Sequence, residues 1–253
     1  AHNDTNFAKV NINNAVLKGN NFDINATSKA DYIAQKNGTT MFDSAYSSAI
    51  GQIIEGAVSG EGFDFEGARA KAEVVIGSGA DIIADNDVNV NSLAVANTSI
   101  KTGTRYAPVI DSGQEYYYTL GSKTISTINV NDGAKITAGN DVNIHAQSQN
   151  SHNIKLKNPT SAAGQLVGGY TGIPTIQVLL LKSTLDAQTS ALVNSGAIIN
   201  AANVEVDAVN VSSDLSNINS IASIGKDNGG IAVAVTLKDT NINTTAKIDT
   251  TVN

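Results

Sequence analysis

Residues Gly133–Ala146 read Gly-Ala-Lys-Ile-Thr-Ala-Gly-Asn-Asp-Val-Asn-Ile-His-Ala, and the chain returns to this phrase. Gly79–Ser92 reads Gly-Ala-Asp-Ile-Ile-Ala-Asp-Asn-Asp-Val-Asn-Val-Asn-Ser, and Gly196–Ala208 gives a copy one residue shorter. A worn fourth copy, Gly-Asn-Asn-Phe-Asp-Ile-Asn-Ala, occupies Gly19–Ala26. Self-similarity at intervals of roughly 54 to 66 residues is the mark of a repeat architecture. Inside the phrase apolar residues alternate: Val88 and Val90; Val142, Ile144 and Ala146; Val204, Val206 and Ala208. Asn89, Asn143, His145, Glu205 and Asp207 fall between them, so each copy reads as a half-buried strand. The preceding Gly-Ala-x-Ile-x-Ala alternates too, with Ile136 and Ala138 on one face. The Gly-Asn or Asp-Asn between the two strands reads as a turn favouring left-handed backbone.

The fold class that follows is all-β: a single right-handed parallel β-helix, or β-solenoid, with short surface loops or one short helix. Residues 1–253 form one segment of composite repeats, with phrases near 19–26, 79–92, 133–146 and 196–208. A variable stretch precedes each phrase, as in Gly51-Gln-Ile-Ile-Glu-Gly beside Gly164-Gln-Leu-Val-Gly-Gly. Leu181-Lys-Ser-Thr likewise matches Leu237-Lys-Asp-Thr. Ordinary strand and turn lengths suggest about 20 residues per three-sided coil, hence roughly 12 coils over some 60 Å. Phe42–Glu55 and Glu66–Val75 are the best helical stretches, with a short surface helix expected near Ala68–Val75.

Composition narrows the function classes. Five Phe, seven Tyr, one Met and no Trp leave a core of Ile, Val, Leu and Ala, which must be narrow and regular. The 30 asparagines suit turns and stacked amide pairs. A net charge of −7, with Arg69 and Arg105 the sole arginines, argues against nucleic acid and against a polybasic membrane surface. With no cysteine there is no disulfide, thiol nucleophile or cysteine-bound zinc. The longest apolar cluster, Ile176–Leu185, contains Gln177 and Lys182 and is too short to span a bilayer. Thr251-Val-Asn reads as a cut through another copy, so the chain is expected to be an excised piece flanked by further repeats of the same parent.

On the phrase at Gly133–Ala146 and the Leu-Lys-x-Thr segments, the sequence resembles the repeat regions of filamentous-haemagglutinin-like exoproteins. It resembles the leukotoxin-family filamentous adhesins of Gram-negative anaerobes in particular. The resemblance runs from about Asn11 to the end of the chain. It implies a β-helix shaft, export by a type V route (autotransporter or two-partner), adhesion, and in leukotoxin-like members damage to host cells. The Asn-Pro-Asn-Gly turn of two-partner secretion domains is absent, because Asn158-Pro159 is followed by Thr160. Shaft, not secretion cap, is the implied role, and the implied location is secreted or on the outer surface of a Gram-negative bacterium.

Candidate sites are few. Asp87 and Asp141 occupy matching places, but three coils apart they would stand about 14 Å from each other, too far to share an ion. They read as turn residues. His145 points outward between Ile144 and Ala146, His152 reads as a solvated imidazole and His2 is terminal. No metal-binding spacing appears and no metal or cofactor is expected. A Gly-x-Ser-x-Gly elbow is also absent, so no catalytic residues are assigned and the chain is not read as an enzyme. Arg105, Tyr106, Tyr116, Tyr117 and Tyr118 share one variable segment with Asp111, Gln114 and Glu115. Aromatic rings beside such groups can contact a glycan or a protein, although alternate tyrosines equally cover the outside of a strand. The expected function is a structural shaft of a secreted or surface-anchored adhesin or leukotoxin-like exoprotein, projecting and attaching to a host-cell surface protein or glycan. A β-helical polysaccharide lyase or hydrolase and a membrane-damaging toxin segment are the alternatives.

Overall fold

The computed structural model describes residues 3–36, 66–102, 115–158, 176–220, 231–250 and 252. They form fourteen strands and, among the described residues, no helix: β1 Asn3–Ile12, β2 Val16–Gly19, β3 Phe22–Lys36, β4 Glu66–Ile76, β5 Asp81–Ala84, β6 Val88–Thr102 and β7 Glu115–Val130. The remainder are β8 Lys135–Ala138, β9 Asp141–Asn158, β10 Ile176–Val193, β11 Ile198–Asn200, β12 Asn203–Asp214, β13 Asn217–Ser220 and β14 Ile231–Ile248. All pairings are parallel and build three walls. The first long wall runs β1-β4-β7-β10-β14, the short wall β11-β8-β5-β2, and the second long wall β12-β9-β6-β3, with β13 also against β9. This is a parallel β-solenoid whose coils climb in sequence order.

The coils are larger than the sequence suggests. Val88 lies directly beside Val142 and Phe22 beside Val88, so successive copies of the phrase are adjacent coils. Side-chain bonds between neighbouring coils join residues 54, 62, 64 and 66 apart. The expectation of 20-residue coils, twelve in number, is therefore overturned. The strands of the long walls reach 18 residues, where a strand of ordinary length was assumed. Eighteen residues extend about 60 Å, whereas five stacked strands rise only about 20 Å. The piece is broader than it is tall.

Corners hold the stack in register. At the first, Ala80 and Ala134 donate back to Gly77 and Asn131, closing four-residue turns. Gly79 and Gly133 sit third in these turns at φ 74° and 78°, the left-handed position that favours glycine. The left-handed residue was expected at the Gly-Asn corner instead. Gly139 has a different reason to be glycine: a Cβ there would lie 2.0 Å from the Asp85 carbonyl oxygen of the coil below. Corner amides also climb from coil to coil, with Asn131 donating to Ile76 and Asn194 to Val130.

Two other expectations change. Ala68–Val75 is strand, not helix: Ala68, Ala70, Ala72, Val74 and Ile76 are all buried on one face of β4, and that pairing overrides the helical preference of Ala, Lys and Glu. Phe42–Glu55 lies outside the described residues. The match of Leu181 to Leu237 is off by one, since Leu237 pairs with Lys182. A slip of one residue would turn every side chain of β14 to the other face.

The interior follows the alternation. Val88, Val90, Val142 and Ile144 are buried, as are Ile136 and Ala138. Val204 and Val206 are only half-buried, because β12 is outermost in its sheet. Next to the short wall the filling is Ile76, Ile82, Ile128, Ile136 and Ile199. Farther from it, inward positions hold Ala94, Ala96, Ser92, Thr98, Ser122, Ser126, Ser148 and Asn150.

Candidate functional site

The outer face of the second long wall carries asparagine and aspartate in columns that rise with the coils. Asn89 donates its amide to Asp23 at 2.8 Å and Asn143 donates to Asn89 at 3.0 Å. Asn91 donates to Asn25, and Asn97 to Asp31. The Asn97 amide holds the Asp31 carboxyl below the usual carboxylate range, opposed by burial and assisted by Lys29. In these columns each amide satisfies the group one coil below.

Asp87 and Asp141 belong to such a column. They sit in adjacent coils, not three coils and 14 Å apart: the Asp141 backbone amide donates to Asp87 Oδ1 at 3.3 Å. The Asp87 amide donates to Asn21 in turn, and Asn203 donates to Asp141 at 2.8 Å. They flank the corners and do not form them, since Asp87 follows the bend at residues 85–86 and Asp141 opens β9, with carboxylates engaged by neighbouring amides. Among the described residues there is no group of three or more His, Asp or Glu arranged to hold a metal ion. No helix of those residues is long and apolar enough to cross a membrane.

Of the aromatic candidates, Arg105 and Tyr106 lie outside the described residues. The backbone of Tyr116–Tyr118 opens β7 and pairs with Leu179, Leu180 and Leu181 of β10. The structure thus places these three tyrosines in a wall of the stack and does not bring the five candidates together in its described part. His145 takes its expected outward position, half-buried, with Nδ1 3.1 Å from the Asp207 carboxylate one coil above. His2 is outside the described residues.

His152 corrects the sequence reading. It is buried, with 1% of its surface exposed, and faces into the stack. Its Nδ1 lies 3.0 Å from Ser183 Oγ of β10. Ser183 Oγ is also 2.9 Å from Ser216 Oγ and 3.3 Å from Asp214 Oδ2. Asp214 follows His152 in the same inward column, and Lys238 Nζ stands 3.7 Å from its Oδ1. Burial pushes the Asp214 carboxyl upward but is outweighed by Ser216, Lys238 and His152, which leave it below the ordinary range. The phase of the phrase carried the signal: Val142, Ile144 and Ala146 face inward, so by period two His152 does as well.

Serine, histidine and aspartate in one cluster invite comparison with a nucleophilic triad. In such a triad the carboxylate orients the imidazole, whose other nitrogen takes the serine proton. Here the carboxylate bonds the serine, and His152 Nε2 is buried with no partner. Ser183 is fully buried, so no substrate reaches it. The arrangement joins the walls; it does not activate a nucleophile.

The same is true of the polar interior at large. Thr98 Oγ1 accepts from the Ala68 amide at 3.0 Å and donates to the Gly121 carbonyl at 2.9 Å. Ser92 donates to the Ala72 carbonyl and Ser126 to that of Ser92, while Asn150 donates to the carbonyls of Ser122 and Asp186. These side chains are rungs between the two long walls. No family of proteins, no curated protein and no solved structure matches this chain.

Proposed function

We propose that this chain is a shaft segment of a large secreted or surface-anchored bacterial exoprotein of the adhesin or leukotoxin-like kind, serving projection and host-cell attachment. The observation that supports this reading is the stack itself. Each strand of a wall pairs with the strand of the next coil, corner amides and side-chain columns repeat the link, and contacts along the axis are between neighbouring coils. Such quasi-one-dimensional structures transmit position and load and present broad lateral surfaces. The breadth of the coils adds a refinement: a given length of chain yields a wide, stiff element with modest axial reach.

Attachment is assigned to the stretch holding Arg105, Tyr106, Tyr116, Tyr117 and Tyr118, on a surface protein or glycan as partner. Support comes from composition, since tyrosine supplies contact area at small entropic cost. The experiment is binding of the chain to epithelial cells and to a glycan array, before and after joint replacement of Tyr116, Tyr117 and Tyr118 by Ser. Weakened binding with a preserved melting curve supports the assignment. Unchanged binding removes it, and a large fall in melting temperature reassigns the rings to packing of the wall.

A further inference from the structure

We propose that His152, Ser183, Asp214 and Ser216 form an acid-operated latch: proton uptake by the imidazole opens β12, β13 and the adjoining parts of β9 and β10, while the coils below stay closed. The geometry that carries this is a cluster drawn from three strands, β9, β10 and β12, and the link before β13, with its buried imidazole bonded on one side only. Nδ1 meets Ser183, whereas Nε2 meets nothing, so a second N–H at that atom would be buried without an acceptor. The Leu215 amide donates to the His152 carbonyl at 2.9 Å, which ties the β12–β13 link to the same residue.

Among the described residues the charged neighbours are few. Asp214 of β12 and Lys238 of β14 face the imidazole's surroundings and are 3.7 Å apart. The other described partners, Ser183 of β10, Ser216 before β13 and Thr98 beside it on β6, carry no charge. Lys182 and Asp239 pair with each other on the outer face, as do Lys123 and Asp186. Burial pushes the imidazole down to about 4, with Asp214 opposing and Lys238 assisting. An opened segment returns it to the ordinary value near 6.5. Between those limits the open form holds a proton that the closed form lacks, so the closed form loses stability as pH falls through the window. The Asp214 contribution is lost only at lower pH, because its carboxyl lies below the usual range.

Hydrogen exchange on the whole chain, corrected for the intrinsic pH dependence, tests the latch. From pH 7 to pH 5 the opening equilibrium of residues 146–158 and 203–216 should rise about 20-fold, while that of residues 68–98 changes little. His152→Gln should remove this pH response. Because that variant could fail to fold, the imidazole of the unaltered protein is also titrated by nuclear magnetic resonance and should titrate below pH 5. Titration near 6.5, a response spread evenly over all coils, or an equal response in a folded His152→Gln would each overturn the proposal.

Discussion

The interior next to the short wall and the interior remote from it obey one alternation but are held together differently. Near the short wall, Ile76, Ile82, Val88, Ile136 and Val142 fill the space by volume. Away from it most inward side chains are small or polar, with Ile154 and Leu185 as large apolar exceptions, and Thr98, Ser126 and Asn150 reach across to the backbone of the opposite wall. One half is stabilised by removal of apolar surface from water; in the other, hydrogen bonds between the walls contribute as well, although Thr124 Oγ1, Thr189 Oγ1 and His152 Nε2 are buried there with no partner. Removing a side chain should therefore leave a void in the first and an orphaned polar group in the second.

Four substitutions would break or sharpen this contrast. The largest effect is expected from Val142→Asp, which puts an unpaired carboxylate into the apolar half at a cost of several kcal/mol; a melting temperature equal to the parent's would refute the inward face assigned to β9. Ile136→Ala should cost about 2–5 kcal/mol as a cavity, read from denaturant unfolding. In the polar half, Thr98→Val keeps the shape but strands the Ala68 amide and the Gly121 carbonyl. A loss of about 1–3 kcal/mol is expected, against near-neutrality if volume alone mattered there. The smallest change should come from Asn143→Ala in the outer column, about 0.5–1.5 kcal/mol, since solvent can replace part of the missing bond. If that order were inverted, the outer columns and not the interior would be the main fastening.

Much of the apolar half was legible in the sequence, because the phrase repeats with its alternation intact and Ile136, Val142 and Ile144 announce their face. The parallel stacking follows from the same repetition, whereas the adjacency of like residues does not: short coils would set the copies three coils apart, and the structure makes them neighbours. Coil size was not legible. Period two states which way a side chain points, but a strand of six residues and one of 18 alternate alike, so the pattern alone does not count turns. The polar half escaped for a related reason. In Ser92-Leu93-Ala94-Val95-Ala96 the small residues face inward and the larger Leu93 and Val95 stand on the outer side, half-buried. A reading by hydrophobicity reverses that stretch, whereas extending the phase from Val88 and Val90 gives it correctly. His152 was missed in the same way: as an isolated histidine it looked solvated, but its parity with Val142 sets it inside. For the tyrosines, the sequence offered composition without phase, and the structure adds only the backbone placement of Tyr116–Tyr118.

The corners bear on how such a chain can diverge. From the second coil to the third, all three walls and both corners keep the 54-residue offset. Where the interval changes, as between Phe22–Lys36 and Glu66–Ile76, almost the whole difference accrues between the last strand of one coil and the first strand of the next. Length at that junction is decoupled from the ladder: residues gained or lost there displace no inter-coil hydrogen bond in the three walls. A peptide tag or foreign epitope grafted at this junction should be tolerated with little change in melting temperature, whereas the corners differ by no more than one residue from coil to coil, the offset stepping from 64 to 65 to 66 across the three walls of the first coil. Large changes in length are thereby confined to one side of the stack.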